Sequence, residues 1–448
     1  MTGAPAQVRC VVVGAGWSGL ACAVEAVRQG AAVTLVDAAP AIGGRARRVD
    51  LRIGDRQFAL DNGQHLLLGA CTHTIELMRT LGVDPARVLL SRPFALQYAD
   101  GWRLAAAPLP APLHLGLGLL LARRLPWRDR VALAAWVNAQ RRNGWRVAGD
   151  RPVTALLQSQ SDQLMRRLWR PLCIAAMNTE PQHASAEMFL NMLRLSLGAG
   201  EADSRLLIAR RDLSATMPEA ASAYLERSGA TILVRQPAVA LARHGQTWEV
   251  VLRDRRLAAE RVVLALAADS AVRLLESAEV EALRTAITDL QGLAYAPIAT
   301  VYLRYPDALR LPQPVYALLD DPPSGRLGQW VFDRGRIDPA LRGIVSVVVG
   351  APALQVERDR DSLCCAVERQ LADDFGLPPA LGSNVVIERR ATLFASVGLR
   401  RPPAQLPVEG LYLAGDIAAS PFPSTLEGSV RSGLEAARLA WSDATRCQ

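Results

Sequence analysis

The apolar positions of this chain follow two periods, and the switches between them outline its elements. Cys10–Val13 is an unbroken apolar run of strand length, whereas Ser18–Gln29 carries Leu20, Ala23, Val24 and Val27 on one helical face. Ala32–Val36 returns to strand length, and Gly30 suits the left-handed residue that ends a helix. Strand, helix and strand in this order predict a βαβ unit with parallel strands. From Cys71 to Gly198 the helical period dominates, interrupted by Pro108, Pro110 and Pro112 and by a hairpin over Phe94–Leu104, where Asp100-Gly101 supplies turn chemistry. Thr231–Val234, Ala238–Leu241, Trp248–Arg253 and Arg261–Leu266 have strand length and predict a small sheet returning to the first unit. Tyr295–Tyr305, Val315–Leu319, Gly328–Phe332 and Ile344–Val349 form a second strand set, expected to floor a substrate site, and a helix follows near Leu363–Phe375. Gly410–Ala414 predicts a last strand and Thr425–Trp441 a last helix.

Length and composition narrow the class. The 448 residues exceed the roughly 250–300 that one core supports, so two packed domains are expected. A hydrophobic share of 50% with 21% charged residues excludes a disordered or fibrous chain. The net charge is +8, and every basic side chain is Arg, since the chain contains no lysine. Leu113–Arg170 holds eleven Arg against Asp129, Asp150 and Asp162, so this stretch alone accounts for the excess. It also carries four of the nine Trp and the apolar run Leu113–Leu121. Two readings stand: a surface through residues 105–170 that meets anionic lipid headgroups, or an amphipathic helical part whose Arg face meets water. Nucleic acid is not expected, because no recognition motif accompanies the charge. The seven cysteines show no metal-type or C-x-x-C spacing, which points to a reducing compartment and no metal site. The N-terminus lacks a signal-like apolar stretch and no run reaches about 18 apolar residues, so a cytoplasmic protein is expected, at most resting on a membrane.

The first chemistry lies in Val11–Gly19, V-V-V-G-A-G-W-S-G. Gly14 suits a tight strand-to-helix turn, Gly16 lets a pyrophosphate approach the backbone and Gly19 lets helix pack on strand. Ala15, Trp17 and Ser18 complete the loop, whose helix N-terminus faces phosphates. Asp37, eighteen residues after Gly19, closes the second strand where a carboxylate accepts from ribose hydroxyls. A dinucleotide is therefore expected.

Further residues carry a resemblance. Gly43-Gly44-Arg45 resembles the second phosphate-contacting loop of the amine oxidase and phytoene desaturase superfamily. Gly410–Asp416 resembles its other FAD strand, in which Gly415 and Asp416 would lie at the ribityl and pyrophosphate end. Pro421–Gly433 resembles its last helix, aimed at the isoalloxazine through Leu426 and Glu427. Glu427 has a second reading as the partner of Ser424 in a capping box. Val239 matches a position that contacts adenine through backbone, with core as its plain alternative. Asp61-Asn62-Gly63-Gln64-His65 matches the flavin edge, Gly63 and Gln64 as cofactor contacts and Asp61 and His65 as proton donors, although a histidine here also suits a structural role. A carboxyl acting as acid near neutral pH needs burial to raise its pKa.

Leu60–Gly69 and Trp169–Pro181 narrow the resemblance to the hydroxysqualene dehydroxylases, over essentially the whole chain. That family implies an α/β fold: a discontinuous FAD-binding domain with a parallel sheet over 1–70, 205–290 and 395–448, and a mixed sheet-and-helix substrate domain over 71–204 and 291–394. It also implies reduction of hydroxysqualene to squalene by reduced FAD in hopanoid or related triterpenoid biosynthesis, with electrons from an external donor. Asn178 and Glu180 would face the substrate, and Asp61, His65, Glu180 and Glu427 are the candidate acids. An apolar tunnel is expected from Ala105–Leu121 and the later strands. Rival readings are a carotenoid desaturase of the phytoene type and a non-catalytic FAD-containing lipid-binding partner. The absence of lysine counts against an amine oxidase that uses one beside the flavin.

Overall fold

The computed structural model describes residues 8–110, 113–350 and 359–442. Arg9–Val13 is the middle strand of a five-stranded parallel sheet, with Ala32–Val36 on one side and Arg261–Leu264 on the other. Thr231–Leu233 and Leu411–Leu413 form its edges. Val12 sits opposite both Leu35 and Val263, and the strands read as near-continuous apolar runs because helices and further layers cover them on both faces. The helix Trp17–Arg28 buries Leu20, Ala21, Ala23 and Val24, and the last helix, Leu426–Ser442, packs Val430, Ala436 and Ala437 into the same cluster. The two ends of the chain thus share one core.

The middle strand set divides, where one returning sheet was expected. Thr231–Leu233 and Arg261–Leu264 enter the parallel sheet, whereas Ala238–His244, Thr247–Leu252 and Arg256–Ala259 make a separate antiparallel sheet. The connections of two and three residues within that trio can join only antiparallel neighbours.

A second five-stranded sheet, antiparallel throughout, runs in the order Val315–Ala317, Trp330–Asp333, Ile344–Gly350, Tyr295–Arg304 and Gly382–Leu393. Alternation along its strands separates two faces. Ala299, Val301, Leu303, Val345, Val347 and Val349 join Val367 and Leu371 of the helix Arg360–Phe375 in one buried cluster. Ile298, Trp330, Phe332, Val348 and Thr392 point the other way, into a cavity. Helices from residues 113–197 close that cavity, packed through Trp136, Trp169 and Phe189, whose successive ring centroids lie 4.6 and 6.3 Å apart. No helix among the described residues is long and apolar enough to cross a membrane.

Candidate functional site

The cavity, about 640 Å³, opens at the carboxyl ends of the parallel strands. Gly14 and Gly16 follow the middle strand, Asp37 follows its neighbour, Ala265–Ala267 follow the third, and Gly415 and Asp416 follow the edge strand. This is where open α/β sheets leave a crevice for a ligand. Two glycines explain the loop geometry. A Cβ on Gly19 would come within 1.8 Å of the Gly14 carbonyl oxygen, so only glycine lets this helix start so near the turn. Gly44 has φ +61°, and a Cβ there would stand 2.9 Å from the Gly16 Cα. The two loops interlock, the Gly43 N–H donating to the Ala15 carbonyl at 2.8 Å.

The Asp37 carboxylate accepts the Ala15 N–H at 2.6 Å and the Ala39 N–H at 2.7 Å. Each oxygen keeps a further lone pair for a hydroxyl donor. Across the cavity, Arg45 donates to Asp416 at 2.8 Å and to the carbonyls of Arg390 and Ala391 at 3.0 and 3.1 Å. Asp416 also accepts from the Ser424 hydroxyl at 2.9 Å, and its carbonyl takes Arg401 at 3.1 Å. The Gly415 N–H donates to Ser432 at 3.0 Å, tying the edge strand to the last helix. Side-chain-free loop backbone, a helix N-terminus, a guanidinium and a carboxylate therefore converge on one crevice, donors that fit a dinucleotide's pyrophosphate beside an acceptor that fits its ribose.

The flavin-edge segment is held by the second sheet. The Gln64 N–H donates to Thr300 at 3.2 Å, and its side-chain Oε1 accepts from Ser346 at 3.1 Å and Arg334 at 3.4 Å. Asn62 bridges the Arg45 carbonyl and Glu388 at 3.1 and 3.2 Å. His65 lines the cavity with Nδ1 2.6 Å from the Gly63 carbonyl, so the proton sits on Nδ1 and Nε2 is left free. Burial pushes the imidazole below its ordinary pKa, against the pull of the Gly63 carbonyl, and the Arg45 charge adds to the lowering.

Of the expected residues, Gly14, Gly16, Trp17, Ser18, Asp37, Gly43, Gly44, Arg45, Gly63, Gln64, His65, Asn178, Gly415, Asp416, Leu426 and Glu427 line the one cavity. Others do not. Asp61 is buried beneath it: its carboxylate accepts the Leu213 N–H at 2.7 Å and its carbonyl accepts the Tyr302 hydroxyl at 2.8 Å. Burial raises its pKa to about 7, although Arg334 and the Leu213 N–H act against the rise. Glu180 is paired with Arg170 at 2.6 Å, and the same guanidinium holds Asp320, so it serves an ion pair away from the cavity. Val239 sits at a bulge in its ladder, half exposed and outside the cavity lining. The Ser424–Glu427 capping box does not form, since Thr425 caps by accepting the Gly428 N–H while Ser424 serves Asp416. Glu427 instead accepts the His73 and Thr74 N–H groups, the Thr74 hydroxyl and Arg431, at 2.7–3.1 Å, capping the helix Thr72–Thr80. Among its described residues, Ala105–Leu121 contributes nothing to the lining, which draws its apolar wall from Phe94, Leu172, Phe189, Met192, Leu193 and Leu206.

Sequence reasoning missed Glu388, Arg390 and Thr392, which reach the cavity from alternate positions of Gly382–Leu393. Their two-residue spacing was a usable signal, a polar stripe on one face of a strand. Trp330 and Phe332 carry the same spacing on another strand of that sheet, Trp330–Asp333.

The chain belongs to the family of flavin-containing amine oxidoreductases, whose pattern it matches over residues 17–440. It is thus a flavin-dependent oxidoreductase, and FAD is its cofactor. Within that family it is similar to hydroxysqualene dehydroxylases: that of Sinorhizobium fredii is 30% identical over 96% of this chain and 98% of that protein. The Rhodopseudomonas palustris enzyme is also 30% identical, over 96% of this chain and 97% of its own length, and the Zymomonas mobilis enzyme is 25% identical over 96% and 98%. Among solved structures, an oxidoreductase from Methanosarcina mazei superposes with a TM-score of 0.72 at 17% identity, covering 96% of this chain and 100% of that one. Cyclohexylamine oxidase from Brevibacterium oxydans gives 0.70 at 18% identity, covering 98% and 100%. These two speak for the fold.

Proposed function

We propose that the chain reduces hydroxysqualene to squalene, the hydroxyl leaving as water, with electrons passed to FAD by an external donor. The observation that carries this reading is a single cavity with a polar pyrophosphate-type end at Gly16, Arg45 and Asp416 and an apolar end at Phe94, Leu172, Phe189 and Leu193. A long hydrocarbon offers few polar handles, so burial against such walls must hold it. FAD, once reduced, supplies the hydride that replaces the hydroxyl on carbon.

The residues of the chain do the rest. The apolar walls orient the chain and exclude water from the carbon that loses its hydroxyl. Of the four candidate acids, Asp61 and Glu180 lie off the cavity and Glu427 is saturated by its donors, which leaves His65. Its Nδ1–H is held by Gly63, so the proton that goes to the departing hydroxyl is one taken up at Nε2 in the imidazolium form, and its loss returns His65 to the neutral ring. Burial disfavours the imidazolium, and a disfavoured cation gives up its proton readily. In this reading residues 105–170 rest on the membrane that dissolves the substrate, supported by exposed Leu113, Leu120, Leu121 and Trp127 beside Arg123, Arg124 and Arg128.

Anaerobic mixing tests the reaction. Reduced holoprotein should be reoxidised by hydroxysqualene with squalene formed in step. Reduction of the oxidised flavin by phytoene would instead support a desaturase, and lipid binding with no flavin change a non-catalytic carrier.

A further inference from the structure

A second cavity of about 380 Å³ lies behind the apolar wall of the first and shares Phe94, Ala95 and Leu206 with it. Its charged lining is Arg92, Arg103 and Arg336, with Gln97 and Gln313 beside them and no carboxylate in the lining. Arg336 donates to the Leu311 carbonyl and lies 3.8 Å from Asp333, but Arg92 and Arg103, both exposed, have no ion-pair partner among the described residues. Gln97 donates to the Val315 carbonyl at 3.0 Å, which fixes one side of the pocket. A pocket with this lining suits a phosphate diester, a compact anion with several acceptor oxygens.

What stands beside the pocket says where the phosphate comes from. The backbones of Arg103 and Arg123 exchange hydrogen bonds at 3.2 and 2.8 Å, joining the pocket to the turn Leu121–Arg124. Six of the ten exposed large apolar side chains among the described residues fall there: Leu109, Leu113, Leu120, Leu121, Trp127 and Val131. They form a ledge rather than a loose loop. Arg130 donates to the carbonyls of Ala122 at 2.6 Å, Leu125 at 3.0 Å and Leu120, clamping the end of the helix Leu113–Leu120. The inner side of the ledge, at Leu115, Leu119, Ala122 and Leu125, packs into the cluster that contains Phe94 and Leu206. Exposed Arg123, Arg124 and Arg128 flank the ledge, so a second copy of the chain would set like charges together while an anionic bilayer complements them.

We propose that the Arg92–Arg103–Arg336 pocket binds the phosphate of an anionic membrane phospholipid while the Leu113–Val131 ledge enters the bilayer. Resting on the reading that the substrate is dissolved in that bilayer, this sets the back of the substrate cavity against the lipid.

The test is flotation of FAD-loaded protein with vesicles of phosphatidylcholine alone and of phosphatidylcholine and phosphatidylglycerol in equal parts. The holoprotein should float with the anionic vesicles. R92Q/R103Q/R336Q should bind them about a hundredfold more weakly, from a loss of about 1 kcal/mol for each arginine near the surface. L120S/L121S/W127S should lose both vesicle types, and R253Q/R255Q/R389Q, with equal charge removed elsewhere, should bind as the parent does. R103Q alone, expected to weaken binding about fivefold, keeps the test decisive if the triple variant does not fold. Unchanged flotation of the pocket variants, or equal loss in the R253Q set, would overturn the proposal. So would binding of soluble glycerophosphoglycerol as tight as that of the vesicles, which would mark a site for a free anion. Turnover of hydroxysqualene in detergent micelles should be the same in R92Q/R103Q/R336Q and the parent. Absence of turnover in both would count against the proposed reaction and leave the flotation result standing.

Discussion

Replacing Asp61 by Asn separates a buried carboxyl that burdens the fold from one that does chemistry. Asp61 is 3% exposed, accepts the Leu213 N–H, and has its pKa raised from 3.8 to about 7. In the unfolded chain it ionises near the ordinary value, so between that value and about 7 the folded state holds a proton that the unfolded state has lost. A folded state that binds more protons loses stability as pH rises, so the cost accumulates through this window and is complete above the folded pKa. A shift of about 3 units at about 1.4 kcal/mol per unit makes it on the order of 4 kcal/mol. Asn keeps an acceptor for Leu213 and has no charge to bury. With about 2.1 cal/mol/K of unfolding entropy per residue over 448 residues, that difference corresponds to about 4 °C. Thermal unfolding of the FAD-loaded D61N and parent proteins at closely spaced pH values reads it, because other titrating groups cancel in the difference. The gap in midpoint should grow in favour of D61N from about pH 4 to about pH 8 and then level off. Parallel curves would refute the burial argument. A loss of turnover in D61N with an intact flavin spectrum would place Asp61 in the chemistry after all.

Four further outcomes follow from the same geometry. Gly44→Ala, which drives a Cβ to 2.9 Å from Gly16, should cost at least about tenfold in FAD affinity, about 1.4 kcal/mol, read as visible flavin absorbance retained on dialysis. Arg45→Ala should loosen FAD, and Arg45→Lys should not restore it, because one ammonium cannot serve Asp416 and two backbone carbonyls in the fork that Arg45 uses. Glu427→Gln should destabilise the protein by about 2–4 kcal/mol in a denaturant titration, since it leaves Arg431 unpaired and weakens three helix-capping bonds. His65→Gln should keep FAD and lose at least about a hundredfold in kcat. The parent's kcat should fall as pH rises past the lowered imidazole pKa, and H65Q should lack that limb.

Much of the site was legible because its signals are local. Gly14, Gly16 and Gly19 are required by a turn and a contact within a few residues, and Asp37 follows at a separation set by the βαβ unit itself. The apolar run Cys10–Val13 announced a parallel strand for the same reason, being buried on both faces. The misplaced residues are those whose partners lie far along the chain. Ser424-x-x-Glu427 has the spacing of a capping box, yet Glu427 serves Thr74, 353 residues away, because packing of the last helix against Thr72–Thr80 sets two bare N–H groups in front of it. Asp61 and His65 are four positions apart in one polar segment, but the Leu213 N–H captures one below the cavity floor while the other faces in. The stretch Ala105–Leu121 is apolar enough for a tunnel, yet its helix packs outside the wall formed by Phe94 and Leu206 and leaves several of its leucines at the surface. The residues alone thus determine a flavin-type crevice at the mouth of a parallel sheet, since turn and strand chemistry act over short range. Which polar groups face that crevice, and which apolar stretch lines it, only the tertiary packing decides, because each depends on a contact formed hundreds of residues from where its pattern is written.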